Sequence, residues 1–211
     1  MPSFWCLGQG SVGWFSGEFG REILDKIDDG FAQGQAIVRD KLGADKIDVV
    51  FVNDPMNVIP EIGVGGYSPG PYNIYVSLDP NFKTFSVEDM VSTILHETHH
   101  CMRWRNPGYG LSLGEAMISE GLATLFEEEY SGKTPIYAQV NIKQEEIDKA
   151  KKNLNNKKYN HSDWFFGGTD TQRWFAYTYG YKMSKAYSQK LNKTAAELVN
   201  TPAKLFFDSK I

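Results

Sequence analysis

Residues 96–100 read His96-Glu97-Thr98-His99-His100, directly after the apolar, helix-patterned run Met90-Val91-Ser92-Thr93-Ile94-Leu95. On a helix, side chains four positions apart stand one turn above another on the same face, so His96 and His100 aim two imidazoles at one point. Two such imidazoles can share a zinc ion, and the carboxylate of Glu97 flanks that point and can take a proton from a water held there. A chain built this way must carry a polar, ligand-bearing helix face into its interior. The sequence contains four histidines, and three of them lie in this pentapeptide.

Two imidazoles do not complete a catalytic zinc site, which takes three protein ligands and keeps an open position for water. The third histidine of the H-E-x-x-H-x-x-G-x-x-H pattern is absent, because Arg103 and Asn106 stand at its glycine and histidine positions. A carboxylate on a following helix is the other solution. Ser112 and Glu115 form a capping box for a helix over about 113–130, which offers Glu115, Glu120, Glu127, Glu128 and Glu129. Glu120 is the candidate, since its neighbours Ala116-Met117-Ile118-Ser119 and Gly121-Leu122-Ala123 imply burial and a buried carboxylate requires a partner. Glu115 is spent on the cap, and Glu127 to Glu129 read as a solvated charge run. Thr124, one turn beyond Glu120, is placed to orient a ligand histidine through its hydroxyl. The expected site is therefore Zn2+ on His96, His100 and Glu120.

The rest of the chain alternates between the two periodicities of an α+β fold. Apolar residues Phe19, Ile23, Leu24, Ile27, Phe31, Ala32 and Ile37 recur at helical spacing from about 18 to 42, with Gly30 and Gly34 as interruptions and Gly43 as the stop. Residues 47–52 and 72–78 read as strands. Between them, Ile62-Gly63-Val64-Gly65-Gly66-Tyr67-Ser68-Pro69-Gly70-Pro71 marks either a hairpin turn or an edge strand to which an extended peptide adds. Ser86, with Asp89, caps a helix over about 87–103 that carries the pentapeptide, and Asn106-Pro107-Gly108 stops it. Further helices are expected over about 143–153 and 171–190, with a short one capped by Thr194 and Glu197, and a last turn opened by Pro202. Residues 1–16 suggest no regular element. The expected architecture is a small N-terminal mixed sheet with the metal helix beneath it, about 1–105. A mainly helical half, about 106–211, closes the cleft within a single domain.

Composition bounds the function. A chain of 211 residues with 41% hydrophobic and 23% charged residues is ordinary for a soluble protein. A formal charge of −4 disfavours nucleic acid, which wants basic patches. The one basic cluster, in residues 149–158, reads as a solvated helix end running into a loop. Cys6 and Cys101 do not make a disulfide framework, and Cys101 points about 100° away from His100 around the helix, as a packing residue. Neither a signal peptide nor an apolar run long enough to span a membrane is visible, so a cytoplasmic protein that binds no membrane is expected. The aromatics near the two ends (Phe4, Trp5, Trp14, Phe15; Trp164, Phe165, Phe166, Trp174, Phe175) read first as packing. Nothing in the chain specifies an oligomeric state.

The spacing from His100 to Glu120 is similar to that of the gluzincin metallopeptidases, thermolysin-like enzymes included. More closely, His96 to Arg103 and Ile118 to Ala123 resemble a bacterial family of predicted zinc-dependent proteases of uncharacterised function, as do residues 163–168 and Gly180-Tyr181. The resemblance covers about residues 45–190 and implies a zincin-like fold and a hydrolase of peptide bonds, acting on a peptide or protein substrate. Glu97 is then the general base for a metal-held water, returning the proton to the leaving amine. Tyr177, Tyr181 and His161 are candidates for the second donor to the oxyanion. Tyr177 and Tyr181, four apart, also read as a packing stripe, and His161 as a surface residue. The competing reading is a peptide-binding or regulatory module with little catalysis. Glu97 argues for catalysis, because a structural zinc site needs no base and takes four protein ligands.

Overall fold

The computed structural model describes residues 3–6, 19–82 and 84–208. It comprises two compact units, Met1–Met102 and Arg103–Ile211. The division falls inside one continuous helix.

The first unit is a two-layer α/β structure. Strands β1 (Ser3–Cys6), β2 (Asp48–Asn53), β3 (Val64–Tyr67) and β4 (Asn73–Leu78) form one mixed sheet in the order β1-β2-β4-β3. The β2–β4 pair is parallel and the other two pairs are antiparallel. Residues 3–6 thus belong to a strand where the sequence suggests none; Trp14 and Phe15 lie outside the described residues. Helix α1 (Arg21–Leu42) ends at Gly43, whose left-handed backbone (φ 60°) lets its N–H reach back to the carbonyls of the last turn. Helix α2 (Val87–Arg105) carries the pentapeptide.

Phe51, Val76 and Gly66 are in register across three strands, so they share one face of the sheet. The ring of Phe31 on α1 meets Phe51 edge-on at 6.1 Å, and Glu97 on α2 lies against Gly66. Both helices therefore cover the same face. Gly30 and Gly34 do not interrupt α1. A Cβ at Gly30 would stand 2.5 Å from the Cβ of Met90, and one at Gly34 would stand 2.9 Å from that of Ile94. The two glycines are where α1 and α2 touch.

The second unit is helical: α3 (Leu113–Ser131), α4 (Gln144–Asn153), α5 (His161–Phe166), α6 (Phe175–Leu191) and α7 (Ala195–Leu198), with short 3-10 turns at Ile136–Ala138 and Ala203–Phe206. The capping boxes at Ser112/Glu115 and Thr194/Glu197 form as expected. The helix expected from 171 begins four residues later, because residues 167–174 are spent on a turn: Gly168 pairs with Thr171, and Trp174 adopts a left-handed conformation (φ 67°). Ahead of that turn lies α5, capped by the Asn160 side chain, a helix too short to show periodicity. Helices α3 and α6 cross at Gly121 and Gly180, where backbone lies on backbone. Among the described residues no helix is long and apolar enough to cross a membrane.

Candidate metal centre

Helix α2 starts from a reciprocal cap. The Asp89 carboxylate accepts from the N–H and hydroxyl of Ser86, and the Asp89 N–H donates back to the Ser86 Oγ. From Ile94 to Cys101 every residue is buried, including His96, Glu97, His99 and His100. Cys101 packs its Sγ against the Ser68 Oγ and the Asn73 carbonyl, as a packing residue should. His99 is fully buried and faces away from the paired imidazoles' common point, since it neighbours His100 on the helix.

The helical repeat brings the Nε2 atoms of His96 and His100 to 3.1 Å, with the rings edge to face at 4.7 Å. Bonds of about 2.0–2.1 Å to a tetrahedral zinc would set two imidazole nitrogens about 3.3 Å apart, so the pair is spaced for one ion. Glu97 is held from the sheet. The Ser68 hydroxyl, buried at the end of β3, lies 2.7 Å from the Glu97 Oε2 and 2.9 Å from its backbone carbonyl. A Cβ on Gly66 would come within 2.4–2.7 Å of the Glu97 side chain, so that glycine is what lets the carboxylate lie on the strand. Sequence reasoning missed Ser68: nothing local links a serine to a glutamate twenty-nine positions on.

Glu120, on α3, is buried, and its carboxylate oxygen together with one nitrogen from each of His96 and His100 forms a group within 4.8 Å that can hold a metal ion. It is the one such cluster of three among the described residues. Two imidazoles and one carboxylate suit zinc; magnesium and calcium take oxygen ligands. The Tyr109 hydroxyl donates to the Glu120 Oε1 at 2.6 Å, and burial first, then the Glu120 charge, pushes that phenol well above its ordinary pKa. Tyr109 escaped the sequence reading because it sits in the irregular loop after the α2 stop, where no periodicity marks a face.

The remaining candidates divide. His161 opens α5, stacked on Phe165 at 4.1 Å; burial lowers its pKa while the Glu120 charge opposes this, which puts His161 in the neighbourhood of Glu120. Tyr177 is half-buried, with its ring 5.1 Å from Tyr137 and 5.0 Å from Phe165, and its phenol lies within electrostatic reach of Tyr109. Tyr181 is placed elsewhere: its hydroxyl donates to Glu128 at 2.7 Å and accepts from Lys185 at 2.6 Å.

Two smaller expectations are corrected. The charge run is not solvated at Glu127, which is buried and accepts from the Tyr137 hydroxyl, while Glu128 is tied to Thr134, Tyr181 and Lys185. Thr124 does not reach a histidine, because its hydroxyl donates back to the Glu120 carbonyl at 2.8 Å. Arg103 lies in the last turn of α2. It is almost wholly buried, donating through Nε to the Ser119 Oγ and through Nη1 to the carbonyls of Val199 and Thr201, and burial lowers its pKa to about 10.

A family model described as a predicted Zn-dependent protease matches residues 31–208, a span that contains the second half of α1, the pentapeptide and Glu120. No curated protein and no solved structure matches the chain.

Proposed function

We propose a metallopeptidase function for this chain, which belongs to the predicted Zn-dependent protease family. The observation that carries the reading is the convergence of His96, His100 and Glu120, with the Glu97 carboxylate held beside them on the same helix. His96, His100 and Glu120 would hold the ion in a gluzincin-like set. When bound, zinc supplies a Lewis acid that lowers the pKa of a water and polarises a carbonyl.

The chain's own residues do the rest. Glu97, fixed by Ser68 and lying on Gly66, accepts the proton of the attacking water and passes it to the leaving amine nitrogen, so that the C–N bond breaks to a neutral amine and a carboxylic acid. Burial of the site keeps bulk water from competing for that proton. His161, within electrostatic reach of Glu120, and Tyr177, within reach of Tyr109, supply the donor for the oxyanion; Tyr181 is committed to Glu128 and Lys185. Strand β3 ends the sheet, with the Val64 carbonyl already taken by the Ile59 N–H, and an extended peptide substrate adds along its Gly65–Tyr67 side.

The test is cleavage of a denatured-protein or peptide library by the purified chain. Hydrolysis is expected, abolished by a chelator and restored by added zinc. A zinc-loaded protein that binds peptides and cleaves none of them identifies a peptide-binding module instead.

A further inference from the structure

We infer that Tyr109 is a positioning residue for Glu120, fixing which carboxylate oxygen faces the metal. The inference rests on the ligand set proposed above. A glutamate's terminal torsion is broad, so a carboxylate ligand on a helix has no preferred rotation of its own. Here the Tyr109 hydroxyl donates to the Glu120 Oε1 at 2.6 Å, which fixes the rotation of the carboxylate, so that one of its oxygens would face the ion.

Tyr109 can do this because it is itself held at both ends. Its backbone carbonyl accepts from the Ser119 hydroxyl at 2.7 Å, and Ser119 Oγ accepts in turn from the buried Arg103 Nε at 3.0 Å. Arg103 is anchored on the carbonyls of Val199 and Thr201. At the other end, the Tyr109 ring stacks on Trp104 with centroids 5.8 Å apart and planes 22° from parallel. The loop after α2 is thereby locked to α3 at Ser119, the residue immediately before Glu120. This explains why an arginine is buried against neutral carbonyls: it fixes the loop that carries the phenol.

The same helix supplies an internal comparison. Glu127 lies seven residues from Glu120 and so on the same face, and it too accepts from a phenol, that of Tyr137, yet it is not in the metal cluster. Loss of a phenol–carboxylate bond in general can therefore be separated from loss at the ligand.

The experiment measures zinc affinity by competition with a chromophoric chelator for wild type, Tyr109→Phe, Ser119→Ala and Tyr137→Phe, with apo-protein melting and the absorption of the cobalt-loaded forms. Tyr109→Phe is expected to bind zinc about 10–100-fold more weakly, the usual cost of losing a group that orients a ligand, without a lower apo melting temperature beyond that of Tyr137→Phe. Its cobalt spectrum is expected to weaken towards that of a five-coordinate ion as both Glu120 oxygens engage. Ser119→Ala is expected to shift affinity the same way by less, and it carries the test if Tyr109→Phe does not fold. Tyr137→Phe is expected to leave zinc affinity unchanged. Wild-type affinity and spectrum in both Tyr109→Phe and Ser119→Ala overturn the inference, as does an equal loss in Tyr137→Phe. A wild type that binds no zinc overturns the proposed function itself, and the inference with it.

Discussion

Replacing Glu97 with glutamine is expected to leave a folded, zinc-loaded protein whose peptide hydrolysis is slower by about a hundred- to ten-thousandfold. The size follows from what the substitution removes. Glutamine keeps the shape, and its carbonyl oxygen can still accept from the Ser68 hydroxyl that now reaches Oε2 at 2.7 Å, so the side chain stays in place over Gly66. It cannot accept a proton from water, so the base is lost while His96, His100 and Glu120 are untouched. Turnover on a peptide library, with metal content measured in the same samples, checks this. Equal turnover by both proteins, each holding zinc, removes Glu97 from the chemistry.

The second large effect concerns the scaffold under Glu120. Gly180→Ala is expected to destabilise the protein by about 3 kcal/mol or more, at the upper end of what overpacking costs. An added Cβ would stand 1.9 Å from the Met117 carbonyl oxygen, and that oxygen is backbone, one turn before Gly121, whose own Cβ position is 2.2 Å from the Gly180 backbone. Neither helix has a flexible side-chain tip to move aside, so α3 and α6 must separate. The alanine gains about 1 kcal/mol of helix propensity over glycine, which does not offset this. Thermal melting should fall by roughly 6–12 °C or more. Gly70→Ala is the control, since nothing lies within 4 Å of a Cβ there. Melting of Gly180→Ala at the wild-type temperature contradicts the close crossing.

The sequence made the site legible where the chemistry is periodic. His96 and His100 are paired by the helical repeat alone, and Glu120 was marked by small and apolar neighbours that left a carboxylate nowhere to be but inside. The caps of α2, α3 and α7 were legible for the same reason: cap and partner are three residues apart. What could not be read depends on a partner distant in the chain. A glycine says that a side chain is missing and not what stands opposite, so Gly30 and Gly34 looked like breaks rather than the seat of Met90 and Ile94. Strand β3 is four residues with two glycines, and only its pairing with β4 defines it. Glu127 looked solvated because its burying partner, Tyr137, lies beyond the end of its helix. Ser68 and Tyr109, which hold the two functional carboxylates, sit in irregular segments for which no period exists.

Elemental analysis of the purified chain beside Glu120→Ala tests the centre most directly. The account predicts about one zinc per wild-type chain, held through dialysis, and its loss from Glu120→Ala under the same dialysis, because two imidazoles alone make an incomplete site. Wild type without zinc, or Glu120→Ala retaining it as tightly as wild type, contradicts the ligand set on which everything else is built.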